Sequence, residues 1–329
     1  MKRMHKIKWG ILGLGSIAHH FVKDLLLADD ADLVAVASRS AEKASDFAEQ
    51  YQAKYHFESY EALFNCKEVE VIYIATPHSF HAELAIEAMK HGKHVLCEKP
   101  MGVNRAEVKK MIEAAKEQKV FLMEALWSRF NPTIQKVKQL IDAGVIGEIK
   151  YIHADFAFPA LHRDESNRLL NPILAGGSLL DIGIYPIFLS YLLLGKPESI
   201  QASSKFYKTG VEMQTSMLFD YFDTQAILYS GLNSKSEMKA EISGTKGAIF
   251  IDPRWHEAQG YAIEIEGEIT HFEMPTNGRG YFYEIQEVNS CLRSSNLESK
   301  LWSHQNSIDL ISLLDDVRKI TGIIFPFEK

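Results

Sequence analysis

Cysteine is scarce in this chain. Its 329 residues hold three, Cys66, Cys97 and Cys291, widely spaced and odd in number. That excludes a disulfide framework and fits reduced thiols, so a cytoplasmic location is expected. None has a partner at metal-ligand spacing, no His/Cys/Asp/Glu cluster compels a metal, and no metal is expected. Positive charge is short as well: 36 Lys and Arg face 43 Asp and Glu, for a net charge of -7. That argues against nucleic acid or a membrane surface as partner. Nowhere do roughly 18 or more apolar residues run together, so no membrane span is expected. The basic start, Met-Lys-Arg-Met-His-Lys, leads into a strand and a glycine turn, which is not the pattern of a signal peptide. Internal repeats and low-complexity tracts are missing too. What remains, 46% hydrophobic and 24% charged, suits a soluble globular protein of one large or two ordinary domains.

The chain is arranged around Ile7-Lys-Trp-Gly-Ile-Leu-Gly-Leu-Gly-Ser-Ile-Ala18. An apolar run from Ile7 to Leu12 reaches Gly13-x-Gly15-x-x-Ala18, and Ile17, Phe21, Leu25 and Leu26 follow at helical spacing. Strand, tight turn and helix in that order predict a dinucleotide site. Gly13 permits the turn, Gly15 lets the backbone approach a pyrophosphate, and Ala18 allows close strand–helix packing. The helix N-terminus at Ser16 and Ile17 offers N–H groups to the anion.

The second strand, Leu33 to Ala37, ends in Ser38-Arg39-Ser40. Chains that take NAD usually carry an Asp or Glu about twenty residues past the glycines to bond the ribose hydroxyls. None stands here. Ser38 and Arg39 suit a 2′-phosphate instead, because a guanidinium offers a forked, charged donor set. NADP(H) is therefore favoured over NAD(H), a solvated loop arginine being the plainer alternative.

Strands at Val69–Ala75, His94–Cys97 and Val120–Glu124 alternate with helices at 41–51, 79–91 and 104–118. Asn104-x-x-Glu107 resembles a capping box at the last of these. Short strands alternating with helices indicate an α/β fold with a doubly wound parallel sheet. Ligands in such sheets bind outside the carboxyl ends of the strands. Thr76-Pro77-His78, Glu98-Lys99-Pro100 and Glu124 to Trp127 should therefore line one crevice, with His78 and His81 near a nicotinamide.

Past Trp127 and a helix at 132–143, period-two alternation dominates. Met213, Met217, Phe219 and Tyr221 fall on one face, with Gln214, Ser216 and Asp220 on the other; Met238, Ala240 and Ile242 oppose Glu237, Lys239 and Glu241. This predicts a large, mostly antiparallel sheet that the helices at 178–194, 281–294 and 304–319 cover incompletely. An open face with methionine and aromatic residues suits a homodimer interface. The expected domains are 1–126, binding dinucleotide, and 127–329, binding substrate and a second copy.

Two places carry chemistry. Lys99 sits at a strand's carboxyl end before Pro100, which pushes it towards an extended conformation, where it can reach a substrate hydroxyl. In Ala175-Gly-Gly-Ser-Leu-Leu-Asp-Ile-Gly-Ile-Tyr185, Ser178 can cap the following helix, and Asp181 and Tyr185, four apart, share a face. Pro186 is expected to kink that helix just after Tyr185. A tyrosine facing a lysine ammonium should have its pKa lowered and can pass a proton to or from an alcohol. A solvated lysine and a core aromatic are the bland readings of each alone.

Gly10 to Ala18, Cys97-Glu-Lys-Pro100, Met123-Glu-Ala-Leu-Trp-Ser-Arg129 and Gly176 to Tyr185 together resemble the glucose–fructose oxidoreductase/inositol dehydrogenase (Gfo/Idh/MocA) family. The likeness is greatest to its dimeric dihydrodiol dehydrogenase and NADP-dependent D-xylose dehydrogenase branch. Ser243-Gly-Thr-Lys-Gly247, Tyr283-Glu284 and Val317-Arg-Lys-Ile-Thr-Gly322 extend it over essentially the whole chain. The resemblance implies a Rossmann domain, a C-terminal α/β domain that dimerises through an open sheet, and hydride transfer at the nicotinamide. It implies Tyr185 as acid–base, Lys99 lowering its pKa and binding the reacting oxygen, and Asp181 orienting substrate or Lys99. Trp127 and Phe156 match apolar pocket walls, and Arg168 matches a site arginine of related sugar reductases. Many members pair Asp with His; Tyr185 in that place argues against an inositol dehydrogenase.

The expected function is an NAD(P)-dependent oxidoreductase moving hydride between nicotinamide and a sugar-like or vicinal-diol alcohol or carbonyl. The alternatives are a reductase of a keto- or dicarbonyl sugar, a cofactor-retaining enzyme cycling between two sugars, and a non-catalytic NADP(H)-binding sensor or scaffold. Export signals or N-terminal extensions usually accompany the cycling form, and a sensor has no need of an acid–base pair.

Overall fold

The computed structural model describes residues 5–328. They form two compact units, the first made of the chain up to Phe130 together with Asn277–Ile308, the second of Asn131–Thr276 and the chain from Asp309 on.

The first unit holds a six-stranded parallel sheet: β1 (Ile7–Leu12), β2 (Ala31–Ala37), β3 (Tyr55–Phe57), β4 (Val71–Ile74), β5 (His94–Glu98) and β6 (Leu122–Ala125). Their order is β3-β2-β1-β4-β5-β6. β4 is buried at every residue, as a strand with both faces covered must be. Helices Ser16–Leu25, Ala41–Tyr51, His81–Lys90 and Arg105–Gln118 make the crossovers. The order reverses between β1 and β4, so the loops after those strands flank the switch point where such sheets bind ligands. β3 is three residues long, too short for periodicity to reveal.

The division of the chain differs from a cut at 126/127, because Asn277–Ile308 packs into the first unit. Buried acids of the early strands and helices hold it there. Asp24 accepts the N–H groups of Arg279, Gly280, Tyr281 and Phe282 at 2.8 to 3.3 Å. Asp30 accepts from Gln286, Asn289 and Arg293 at 2.9, 2.9 and 2.5 Å. Glu124 accepts Trp302 Nε1 at 3.1 Å and Ser307 Oγ at 2.7 Å.

The second unit holds an eight-stranded sheet: β7 (Ile149–Ala157), β8 (Ser199–Phe206), β9 (Glu212–Asp220), β10 (Gln225–Gly231), β11 (Ala240–Gly244), β12 (Gly247–Ile251), β13 (Gly260–Ile265) and β14 (Glu268–Glu273). The order is β14-β13-β12-β11-β7-β10-β9-β8. Only the β7–β10 pairing is parallel. Helices Pro132–Asp142 and Ile184–Leu194 lie on one face. Met217 and Phe219 point to that covered side and are buried. The opposite face therefore carries not the methionines but the register row Leu218, Ile227, His153, Glu241, Phe250, Ala262 and His271.

Pro172–Leu194 is long and apolar enough to cross a membrane by length and composition, which the sequence reading did not anticipate; 78% of its most apolar window is buried inside the structure. It is core. Within it, Pro172–Leu174 is a short 3-10 turn and Leu179–Gly183 a wide π-type turn, with regular helix only from Ile184. Pro186 has no N–H to return to the carbonyl four residues back, and the backbone ahead of it is widened.

Candidate active site

In the first unit the carboxyl ends of β1, β2, β4 and β5 are tied together by short contacts. Gly13 has φ +88°, and a Cβ there would stand 2.9 Å from the Ala75 carbonyl oxygen, so only glycine makes the turn. A Cβ on Gly15 would meet nothing within 4 Å. It would project into open space beside the N-terminus of Ser16–Leu25, which no side chain caps. The leading N–H groups of that helix, from Ser16 and Ile17, have no partner within the helix. Thr76 Oγ1 is buried without a hydrogen-bond partner. An open cradle, an uncapped helix start and an orphaned hydroxyl are what a dinucleotide's pyrophosphate would satisfy. The residues fit the cofactor.

Beyond β2, Ser38 Oγ accepts the Ser40 N–H at 3.2 Å, and Ser40 Oγ accepts the Lys43 N–H at 3.3 Å, capping Ala41–Tyr51. Arg39 is exposed, its guanidinium 5.8 Å from the Phe80 ring centroid. Stacking on an aromatic face leaves the N–H fork of such a group turned outward.

His81 and Glu98, expected to touch cofactor, have structural partners. Both ring nitrogens of His81, a fully buried side chain, lie 2.8 Å from backbone oxygens, of Thr76 and Pro100. It bridges the turn after β4 to the turn after β5. Pro77 lies between Thr76 and the short helix that starts at His78, whose buried ring meets that of His81 edge-on at 5.7 Å. Glu98 accepts the Tyr73 hydroxyl and, at 3.1 Å, the Lys99 N–H. Its carboxylate thus fixes the backbone from which Lys99 projects. Trp127 stacks on Tyr281 with centroids 4.4 Å apart and planes 8° from parallel. Asp24's grip on the 279–282 turn sets that ring in place.

In the second unit, Tyr185 is 4% exposed and sits among rings. Phe156 on β7 is 5.5 Å away, centroid to centroid, and His256 is 5.3 Å away. Phe156 and His256 stack on one another at 4.0 Å. On the turn before Tyr185, Asp181 is buried and accepts from Arg168 Nη1 at 2.7 Å and Nη2 at 3.5 Å, while the Arg168 side chain is 50% exposed. The ion pair brings together two residues that the sequence proposed separately.

Two residues were missed. His256 lies in Trp255-His256-Glu257, a short helical turn after β12 with no motif to mark it. Glu212 is buried, and its Oε1 accepts the Leu179 N–H at 2.6 Å. Ser178, expected to cap that turn, makes no cap; its hydroxyl is 3.0 Å from that of Ser230. The glutamate does the capping from 33 residues further along the chain.

Comparison with known proteins agrees with this architecture. Residues 7–126 match the model of the oxidoreductase family with NAD-binding Rossmann fold, and 134–250 match the GFO/IDH/MocA C-terminal domain. Trans-1,2-dihydrobenzene-1,2-diol dehydrogenase of Mus musculus is 36% identical over 98% of this chain and 99% of its own; that of Xenopus laevis is 35% identical over 97% and 99%. KijD10, a 3-ketoreductase from Actinomadura kijaniata solved with NADP and TDP-benzene, superposes with TM-score 0.87 at 26% identity, covering 96% of this chain and 98% of that one. Aldose–aldose oxidoreductase from Caulobacter crescentus, complexed with glycerol, superposes with TM-score 0.88 at 25% identity, covering 97% and 98%. The chain belongs to the Gfo/Idh/MocA family of NAD(P)-dependent oxidoreductases acting on CH–OH groups.

Proposed function

We propose that this enzyme uses NADP(H) to interconvert alcohol and carbonyl on a sugar-like or vicinal-diol substrate, with Tyr185 as general acid–base and Lys99 assisting it. NADP(H), when bound, gives or takes the hydride. The observation that carries the reading is the seat of Tyr185: a phenol enclosed by Phe156 and His256, one turn past the Asp181–Arg168 pair. Away from bulk water, its hydroxyl exchanges a proton with a substrate oxygen, and a lysine ammonium favours its phenolate form. Asp181 holds the Arg168 guanidinium, whose exposed edge offers N–H donors to substrate hydroxyls. Phe156 and Trp127 supply apolar surface for ring carbons.

Ser38-Arg39-Ser40, with no carboxylate, supports the 2′-phosphate preference, and KijD10 holds NADP. The relatives' names, a dihydrodiol dehydrogenase and an aldose oxidoreductase, support the substrate class. A 3-ketoreductase among the neighbours favours one second reading, the reductive direction on a keto sugar, which uses the same groups. We also propose that the homodimer contact lies on the open sheet face, where Ile227 is exposed and Ile269 lines a concavity of about 740 Å³; a monomeric mass by light scattering at working concentration counts against it.

The test is nicotinamide absorbance on mixing protein and NADP⁺ with aldoses and a cyclic trans-diol, and NADPH with keto sugars, with Tyr185→Phe alongside. Turnover with one class, lost in the variant while NADP(H) still binds, is expected. Full turnover by Tyr185→Phe would end the mechanism.

A further inference from the structure

The start of β9 reaches the site from behind. Register along β8 and β9 slips between Lys205 and Phe206, so Phe206 faces Glu212 and Met213 is passed over. Such a bulge re-aims a side chain, and Glu212 turns into the covered side of the sheet, where it is 1% exposed. There it meets Gly177, whose φ is +120°; a Cβ on that residue would lie 2.2 Å from Glu212 Oε2 and 2.4 Å from its Cδ. Gly177 is glycine so that a carboxyl can fill this space. Oε1 accepts the Leu179 N–H at 2.6 Å, and Oε2 is buried with no partner.

The gripped backbone also sets the loop before it. The Gly177 N–H donates to the Leu169 carbonyl at 2.8 Å, and the Gly176 N–H donates to that of Asn171 at 3.0 Å. A Cβ on Gly176 would strike the Arg168 carbonyl oxygen at 2.6 Å. Arg168 and Asp181 are therefore the two ends of one tight loop that Glu212 holds in the middle. We propose that Glu212 is a positioning residue for substrate binding, its buried carboxylate fixing the 176–179 turn and through it the Arg168–Asp181 pair.

This rests on the reading that the pair contacts substrate. Burial pushes the Glu212 carboxyl up from 4.5 to about 7, against the pull of the Leu179 and Ser178 N–H groups and of Arg318. Arg318, on the last helix, is the cation acting on Glu212 and is itself paired with Asp315 and Glu328; on the site side the nearest charges on the gripped loop are Arg168 and Asp181, paired with each other. Ionisation above neutrality should therefore strengthen the local hydrogen bond to the Leu179 N–H, while burying the charge costs global stability.

Glu212→Gln keeps shape and one acceptor oxygen but not the charge. At pH 8, substrate KM should rise roughly five- to tenfold, the difference between a charge-assisted hydrogen bond and a neutral one, with kcat and NADP(H) affinity little changed. The ratio to wild type should shrink towards one at pH 6, where wild type is also neutral. Hydrogen exchange, which needs no turnover, should quicken in 176–183 and not across the rest of the chain. Unchanged exchange in that segment, exchange quickened throughout, or a KM ratio independent of pH would each overturn the proposal. Quickened exchange in 176–183 with unchanged KM overturns it as well. Failure of the function reading shows elsewhere, in Tyr185→Phe retaining turnover.

Discussion

The two units build their sites in opposite ways. In the first, the proposed cofactor cradle is backbone: Gly13, Gly15 and the helix start form one contiguous run, and side chains such as His81 and Glu98 brace the turns from inside. In the second, the proposed substrate site is built of side chains, drawn from several places: Phe156 from β7, Tyr185 and Asp181 from the π-turn and its helix, His256 from after β12. A dinucleotide presents the same pyrophosphate to every such enzyme, so a fixed backbone cradle serves. A substrate pocket has to vary, and variation is easiest where residues on separate strands change one at a time. The largest test of this contrast is Tyr185→Phe. It should cut kcat by roughly 10²–10⁴-fold and leave NADP(H) affinity untouched, whereas Gly13→Ala should abolish cofactor binding by forcing φ or the Ala75 carbonyl to move. If Tyr185→Phe also lost cofactor, the separation of roles would be wrong.

Buried carboxyls sharpen the comparison. Asp24 in the first unit has N–H donors on both oxygens; Glu212 in the second has a donor on one and none on the other. Glu284, fully buried with neither oxygen bonded, is pushed well above its ordinary value by burial and by Glu98 and Asp24. Asp24→Ala strands N–H groups of 279–282 and should destabilise by about 3–4 kcal/mol in a denaturant titration, with loosening of the Trp127–Tyr281 stack. A loss below about 1 kcal/mol would mean that the 277–308 segment is held by Asp30 and Glu124 alone.

Glu212 gives the pH dependence. Its folded value, about 7, lies above its ordinary 4.5. The folded state thus holds the proton more tightly, and this contribution to stability is fully present below about 4.5 and lost as pH rises through about 7. The difference is worth roughly 3 kcal/mol. Glu212→Gln should gain about that much relative to wild type between pH 4.5 and 8, by denaturant unfolding at each pH. A constant difference across the range would show that the carboxyl does not titrate there.

The same contrast explains what could be read from the chain alone. Gly13-x-Gly15-x-x-Ala18 and Ser38-Arg39-Ser40 are local, so the switch point was legible down to single residues. The antiparallel sheet followed from alternation in β9 and β11. Three things were not legible. β3, at three residues, is too short to repeat a period-two pattern. The capping of Leu179 by Glu212 depends on a bulge, which alternation cannot show; the nearer Ser178 was the local choice and took another partner. His256 has no sequence neighbour in its cluster, and only the fold brings it to Phe156. The packing of 277–308 into the first unit was hidden for a similar reason, since Asp24 and Asp30 look like ordinary surface acids of a helix end.

The smallest expected effect tests the most local feature. Arg39 rests over Phe80 and is held by nothing else that a cofactor would have to displace. Arg39→Ala should weaken NADP(H) binding by about tenfold, close to 1.4 kcal/mol, and leave NAD(H) binding within roughly twofold. One charged, forked contact to a 2′-phosphate is worth about that much. Because the side chain is exposed and meets one ring only, the melting temperature of the free protein should not move. Equal loss for both nucleotides would assign Arg39 to the adenosine in general, through its stacking on Phe80, and the preference for the phosphate would then rest with Ser38 and Ser40. No loss for either would return Arg39 to the solvated loop, and with it the case for NADP(H) over NAD(H).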